Sequence, residues 1–208
     1  MIKYIAMFIS ILPSNRLRVL LYRRILGLRI FNSRVGFGTI IACKSFEMLN
    51  SFVGRFCCFL GPMDVKIAEK SSIGNFNRFI TGSWTQSDLK WSYEPRFLLG
   101  KNSKITSGHY FDIAASISIG DRCTIAGYGS QFWSHGPDIS NKNISIGNDC
   151  CIGSAAKFCP GSAIGNRVLV GIGSVLKSNI EADDAVVAGV PAIVKKRRYD
   201  WRNKTYLN

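Results

Sequence analysis

The fold is decided by residues 146–176, whose sequence is IGNDCCIGSAAKFCPGSAIGNRVLVGIGSVL. Apolar side chains recur there at every sixth position, and a glycine often follows them. The apolar positions are Ile146, Ile152, Phe158, Ile164, Val170 and Leu176, and the glycines are Gly147, Gly153, Gly165 and Gly171. A helix repeats every 3.6 residues and a strand every 2, so a period of six fits neither alone. It predicts short strands joined by corners.

The same period extends toward the amino terminus, with slips of register. It passes through Leu99, Ile105, Phe111, Ile119 and Ile125, and more weakly from Val35 to Phe79. Three sides and about 18 residues per turn predict a parallel β-helix, in which equivalent residues stack roughly 4.8 Å apart. The fifth position of each repeat also points inward and is small, as at Cys57, Cys123, Cys150, Ala156, Ser162 and Ser174. We therefore interpret most cysteines as core residues.

Composition and charge exclude several classes of protein. With 47% hydrophobic and 19% charged residues among 208, the chain is neither disordered nor a coiled coil. The net charge of +14 lies mainly at the ends, because residues 1–34 hold seven basic side chains and no acid, and residues 195–208 hold six against Asp200. No common nucleic-acid-binding signature occurs in either end, so we expect no nucleic acid partner.

Seven cysteines are an odd number and none has C-x-x-C spacing, so the sequence favours neither zinc nor disulfides and predicts no metal. The apolar stretch at 4–12 is too short to span a membrane, and no small-residue cleavage site follows it. We expect a cytoplasmic protein with reduced thiols.

The amino-terminal segment, residues 1–34, predicts an amphipathic basic helix interrupted at Pro13. Its apolar residues are Ile5, Phe8, Ile9, Leu12, Leu17, Leu20, Leu21, Ile25 and Leu28, and five arginines lie between Arg16 and Arg29. Two alternatives remain open. The segment lies peripherally on the anionic inner face of the cytoplasmic membrane, or it caps the open end of the β-helix.

Residues 146–196 closely resemble the carboxy-terminal half of hexapeptide-repeat acyltransferases, the maltose and galactoside O-acetyltransferases in particular. The ending VVAGVPA at 186–192 is characteristic. The resemblance implies an all-β fold, a left-handed parallel β-helix, and a homotrimer with active sites between neighbouring prisms. We place this domain at 35–194, with loops at 81–97 and 131–143, followed by a short basic tail at 195–208.

The second loop, QFWSHGPDISNKN at 131–143, carries His135 where the resembling enzymes have the catalytic histidine of a T-H-P motif. A sugar hydroxyl is too weakly acidic to attack a thioester unaided, and a neutral imidazole can take its proton. The resemblance therefore implies His135 as general base. The alternative is a solvated loop histidine.

Candidate acceptor-binding residues lie in both breaks of the repeat and between them. His109 occupies a position where small inward residues are expected, and the resemblance makes His109 and Asp112 candidate acceptor-binding or orienting residues; a hydrogen-bonded core histidine is the alternative for His109. The first loop, TGSWTQSDLKWSYEPRF at 81–97, gains Trp84, Trp91 and Tyr93. Aromatic faces suit sugar rings, so Trp84 and Trp133 are further candidates, with a trimer contact or a loop anchor as alternatives.

The resemblance also implies a groove for acetyl-CoA along the carboxy-terminal coils. Ser154 and Gly171 match its coil positions, and Ile172 replaces the usual alanine. Lys177, Lys195 and Lys196 are candidates for the phosphates, which Lys and Arg bind well. A solvated or membrane-facing tail is the alternative for the basic run.

Together these residues predict an acetyl-CoA-dependent O-acetyltransferase in bacterial surface polysaccharide or O-antigen biosynthesis. Its acceptor would be a hydroxyl of a sugar, an oligosaccharide or a lipid-linked glycan. The alternatives are an N-acetyltransferase of an amino sugar and a non-catalytic β-helix scaffold.

Overall fold

The computed structural model describes residues 1–87, 93–136 and 142–206. Two helices, α1 (Ile2–Ser10) and α2 (Asn15–Leu26), precede the strands, and a 3₁₀ turn spans Ser83–Gln86. The strands are β1 (Arg29–Phe31), β2 (Arg34–Val35), β3 (Ile40–Leu49), β4 (Phe52–Val53), β5 (Cys58–Ile67), β6 (Ser72–Ile73), β7 (Arg78–Ile80), β8 (Arg96–Leu99), β9 (Lys104–Ile105), β10 (Tyr110–Asp112), β11 (Ser116–Ile119), β12 (Thr124–Ile125), β13 (Gln131–Trp133), β14 (Ile144–Ile146), β15 (Cys151–Ile152), β16 (Lys157–Phe158), β17 (Ala163–Ile164), β18 (Val168–Val170), β19 (Val175–Leu176), β20 (Ala185–Gly189), β21 (Ala192–Lys196), β22 (Tyr199–Asp200) and β23 (Thr205–Tyr206).

The strands build a left-handed parallel β-helix with three faces, which confirms the predicted fold class. The first face runs β2-β4-β6-β9-β12-β15-β18-β20, with β21 added antiparallel. The second runs β7-β10-β13-β16-β19, and the third runs β8-β11-β14-β17. The long strands β3 and β5 pass through the corner between the second and third faces and belong to both.

Each face contributes a column of apolar side chains to the core in the predicted register, and the third face adds a further column through Phe97, Ile117 and Ile144. The first column is Val35, Val53, Ile73, Ile105, Ile125, Ile152, Val170 and Val187. The second is Ile41, Phe59, Phe79, Phe111, Phe132, Phe158 and Leu176. Consecutive phenylalanine rings of the second column stack with centroids 4.4–4.8 Å apart. All these residues are buried.

The small residues of the repeat are required where coils approach closely. A Cβ atom added at Gly147 would lie 2.5 Å from the carbonyl oxygen of Gly165 on the next coil. The inward fifth positions are buried as predicted, and the Cys57, Cys123 and Cys150 thiols reach carbonyl oxygens of the next coil at 3.0–3.1 Å. All seven cysteines are free, and burial raises the pKa of Cys57 to about 11.

The amino-terminal segment forms two helices that cover the open end of the prism, with the break at Pro13 as predicted. Ser14 caps α2, because its hydroxyl accepts a hydrogen bond from the Leu17 N–H, and Gly27 ends it in the left-handed conformation. The capping alternative is therefore realised. No helix in the described residues is long and apolar enough to cross a membrane.

The basic carboxy-terminal tail is folded back on the prism. Strands β22 and β23 form a hairpin, and the Trp201 indole N–H donates to the carbonyl of Asp149 at 3.2 Å. Arg202 forms an ion pair with the Asp149 carboxylate at 2.8 Å. These contacts anchor a segment that the charge pattern alone would leave solvated.

Candidate active site

The two loops that interrupt the repeat both begin at the same edge of the prism. Ile80, Asp112 and Trp133 end strands β7, β10 and β13 and are direct register partners on the second face. The segments that begin at Thr81 and Ser134 therefore leave the prism at one edge, with only the short corner at 113–115 between them. Residues 88–92 and 137–141 of these loops, including Trp91, lie outside the described residues. Described residues of the two loops meet at this edge, where the Trp84 ring lies against the His135 ring.

Asp112 and His135 form a carboxylate–imidazole pair at this edge. Asp112 faces outward, yet it is only 8% exposed because the second loop covers it. Its Oδ2 is hydrogen bonded to Nδ1 of His135. Burial raises the pKa of the Asp112 carboxyl, whereas the hydrogen bond and charge of His135 and a Ser134 backbone hydrogen bond act in the opposite direction. An ionised Asp112 holds the proton on Nδ1, which leaves Nε2 as the basic nitrogen.

Ser134 fixes the loop that carries His135. Its hydroxyl accepts hydrogen bonds from the backbone N–H groups of Ala114 and Ala115 at 2.9 and 3.0 Å. The same hydroxyl donates to the carbonyl of Asp112 at 2.6 Å. Ser134 thus ties the residue before His135 to the corner after Asp112. The sequence did not mark Ser134 as a site residue. Its only indication is that Ser134 precedes His135 where the resembling enzymes have a threonine before their histidine.

Aromatic side chains flank the pair. The Trp84 and His135 rings lie 5.5 Å apart between centroids, and Tyr93 packs edge-on against Trp84 at 5.1 Å. The ammonium group of Lys142, a residue the sequence reasoning missed, lies 5.2 Å from the centre of the Tyr93 ring. Trp84 is 40% exposed, so part of its surface is open to a ligand. One wall of the site is therefore aromatic and carries a cation.

Trp133 lies beside Asp112 on the outer surface of the second face. Its ring packs on Tyr110 with centroids 5.1 Å apart, and it remains partly exposed. The structure thus gathers four of the predicted residues, Asp112, His135, Trp84 and Trp133, on one edge.

His109 lies in the interior of the prism, not at this edge. Its Nδ1 accepts a hydrogen bond from the Ser130 N–H at 3.1 Å, and its Nε2 lies 2.9 Å from the Thr106 hydroxyl. One coil earlier, Asn77 Oδ1 accepts the His109 N–H in the same way, at 2.9 Å. His109 therefore continues a ladder of inward polar side chains that satisfy the next coil. This is the geometry of the core-histidine alternative, and it leaves no ring nitrogen for an acceptor.

We expect His109 to make folding stability depend on pH. Burial lowers the pKa of His109 to about 4, so between pH 6.5 and 4 the unfolded chain binds a proton that the folded chain does not. Stability is then complete above pH 6.5 and falls by about 3 kcal/mol as the pH drops to 4. The H109N variant can keep an acceptor for the Ser130 N–H without the titration. Denaturant unfolding of both proteins from pH 4 to 8 measures the difference, and parallel curves would contradict it.

The predicted cofactor residues separate into three places. Ser154, Gly171 and Ile172 share one corner of successive coils, and the Gly173 N–H donates to the Ser154 carbonyl at 2.9 Å. Lys177 follows β19 at the next corner, and Lys195 and Lys196 lie on β21. The ammonium group of Lys196 lies 4.3 Å from the centre of the Tyr199 ring. In the described part of the chain, no group of three His, Cys, Asp or Glu side chains could hold a metal ion.

Comparisons with known proteins identify the fold. No protein-family model matches the sequence, and no curated relative matches it either. Among solved structures, the polysialic acid O-acetyltransferase OatWY is similar, with a TM-score of 0.61, 22% identity, and coverage of 86% of this chain and 88% of that chain. A UDP-N-acetylglucosamine acyltransferase from Campylobacter jejuni is also similar, with a TM-score of 0.56, 12% identity, and coverage of 86% of this chain and 74% of that chain.

A hexapeptide-repeat acetyltransferase from Vibrio cholerae O1 biovar eltor, solved with acetyl-coenzyme A, is also similar. It has a TM-score of 0.50 and 19% identity, with coverage of 94% of this chain and 84% of that chain. The chain therefore has the fold of the hexapeptide-repeat acetyltransferases, as the sequence resemblance predicts.

Proposed function

We propose that this chain, built on the fold of the hexapeptide-repeat acetyltransferases, transfers an acetyl group from acetyl-CoA to a hydroxyl of a glycan. The observation that carries the proposal is the Asp112–His135 pair, covered by one loop and flanked by the aromatic residues of the other. A buried carboxylate that orients a half-exposed imidazole is the arrangement a general base requires. A scaffold protein has no need of it.

In the proposed reaction, Nε2 of His135 takes the proton of the acceptor hydroxyl as the hydroxyl oxygen attacks the acetyl carbonyl. The new C–O bond forms and the C–S bond of the thioester breaks. The proton on His135 then passes to the departing thiolate. Asp112 stabilises the imidazolium that forms in between, and no acyl-enzyme is required.

The carboxy-terminal coils supply residues that fit the donor. Ile172 is 79% exposed at the corner it shares with Ser154 and Gly171, and offers an apolar surface to a pantetheine arm. Lys177 and Lys195 are exposed and could contact phosphates, and Lys196 lies on the same strand as Lys195. Structures of this fold include one solved with acetyl-coenzyme A, which supports the choice of donor.

We also propose that the chain works as a homotrimer. The His135 side chain is 43% exposed, so water is not excluded from the pair within one chain. A neighbouring prism against this edge would close the site and raise the strength of its electrostatic interactions. Sedimentation of the purified protein measures the assembly state, and a monomer that is fully active would contradict this part of the proposal.

The activity is tested by incubating the protein with acetyl-CoA and a panel of sugars, sugar nucleotides and lipid-linked oligosaccharides. We expect release of the CoA thiol and a product heavier by one acetyl group. An ester is cleaved by mild alkali whereas an amide is not, so alkali treatment separates O-transfer from the alternative of N-transfer to an amino sugar. Absence of transfer to any acceptor in the panel would oppose the proposal in favour of a scaffold.

A further inference from the structure

The amino-terminal helices leave many of their apolar side chains exposed. Arg18 and Tyr22 of α2 are buried, whereas Leu17, Leu20 and Ile25 of the same helix are exposed. On α1 and just after it, the exposed apolar residues are Ile2, Tyr4, Met7, Phe8 and Ile11. An apolar surface of this extent is unusual in a protein that has no partner on it.

The burial of Arg18 and Tyr22 has a local cause at the end of the prism. The first coil exposes carbonyl groups that no further coil can satisfy, so it needs hydrogen-bond donors. The Arg18 guanidinium donates to the Val35 carbonyl at 2.9 and 3.2 Å, and the Tyr22 hydroxyl donates to the Thr39 carbonyl at 2.7 Å. Arg18 and Tyr22 are thereby used for capping, while Leu17, Leu20 and Ile25 stay exposed on the outer surface of α2. We call the exposed outer surface of α1 and α2 the amino-terminal face.

The charge around this face identifies the kind of partner. Residues 1–34 contain seven basic side chains and no acidic one, and Arg16, Arg23 and Arg24 are exposed on α2. A second copy of the face would bring arginines against arginines, and a nucleic acid would not cover the aliphatic residues. Exposed aliphatic and aromatic side chains interspersed with arginine match a bilayer interface that contains anionic lipids.

We propose that the amino-terminal face docks on an anionic lipid membrane. Strand β3 passes from the second face to the third at Cys43 and Lys44, on the same edge of the prism as the candidate site. A cavity of about 610 Å³ lies there and is lined in part by Ile2, Lys3 and Lys44. From there Asp112 is three coil steps away, through β5 and β7 to β10, or about 14 Å. The Asp112–His135 pair thus lies on the same edge of the prism as this cavity, a short glycan's length further along it. Resting on the proposed function, this favours a lipid-linked glycan as acceptor.

Vesicle flotation tests the docking without any acetyl donor. We expect the full-length protein to float with vesicles of phosphatidylcholine containing phosphatidylglycerol, and not with phosphatidylcholine alone. The F8S and R24E variants should each lower the bound fraction about tenfold. The matched controls are F76S, an exposed phenylalanine along the prism, and K101E, an exposed lysine at mid-prism; both should bind as the parent does.

Several outcomes would overturn the docking. The first is equal binding to both kinds of vesicle. The second is loss of binding in R24E but not in F8S, which indicates charge adhesion alone. The third is a change of assembly state in F8S, which indicates a protein contact. In an activity assay, F8S should lose about tenfold with a lipid-linked oligosaccharide in vesicles and keep its rate with a soluble acceptor. Flotation that succeeds while neither acceptor is acetylated would separate failure of the proposed function from failure of the docking.

Discussion

The H135A variant is expected to lose at least 100-fold in kcat while it keeps its fold and its affinity for acetyl-CoA. Removal of a general base costs about 10²–10⁴ in rate, because the hydroxyl must then lose its proton to water. His135 lies on a loop and its side chain is nearly half exposed, so its removal leaves no large cavity in the core. The measurement is the rate of CoA thiol release with a saturating acceptor.

Free imidazole provides a specific control for that loss. A base that diffuses into the space left by the alanine should restore part of the rate, in proportion to its concentration, whereas a folding defect would not respond to it. Unchanged turnover in H135A would remove His135 from the proposed mechanism. A rate lost together with acetyl-CoA binding would assign His135 to the donor site instead.

The core of the fold was predictable from the sequence because one physical constraint repeats. Each coil must place an apolar residue on the one below, so Ile146, Ile152 and Phe158 could be assigned inward positions from spacing alone. The glycine at position 147 was predictable for a similar reason, because neighbouring coils approach too closely there for a side chain. The handedness was not contained in the period and came only with the family resemblance.

The candidate site was predicted in its members but not in its arrangement. Phe79 and Phe132 occupy equivalent positions of the second column, and each is followed two residues later by an interruption. If every repeat had been assigned to a face of the prism, the sequence would therefore have predicted that Trp84 lies near His135. The pairing of Asp112 with His135 needed the strand register, because the two residues lie 23 positions apart.

The two largest departures concern polar residues inside the molecule. The repeat pattern predicts a small residue at position 109, yet the His109 ring supplies the hydrogen-bond acceptor that the Ser130 N–H needs. Arg18 and Tyr22 lie inward because the prism end presents carbonyls in place of side chains. In both cases backbone hydrogen bonding, which no periodicity of side chains reveals, determines which residue is buried.

The D112N variant is expected to lower kcat by about 10²–10⁴-fold with little change in the KM for acetyl-CoA. The amide has nearly the size of the carboxylate, so the coil should remain intact. It carries no charge to stabilise the imidazolium formed when His135 takes the hydroxyl proton, and its NH₂ group can hold the imidazole in the wrong tautomer. The measurement is kcat and KM for both substrates, with thermal unfolding as the test of the fold.

A double-mutant cycle separates a positioning role for Asp112 from a merely structural one. If Asp112 acts through His135, D112N should cost little in a chain that already carries H135A, because the group it orients is gone. If Asp112 only holds the loop, or binds the acceptor directly, which is one of the two roles that the sequence resemblance implies, the two losses should multiply. Binding of the acceptor would in addition raise its KM in D112N. The non-additive result is the one the geometry requires, since the Asp112 carboxylate is 8% exposed and its Oδ2 bonds the His135 ring.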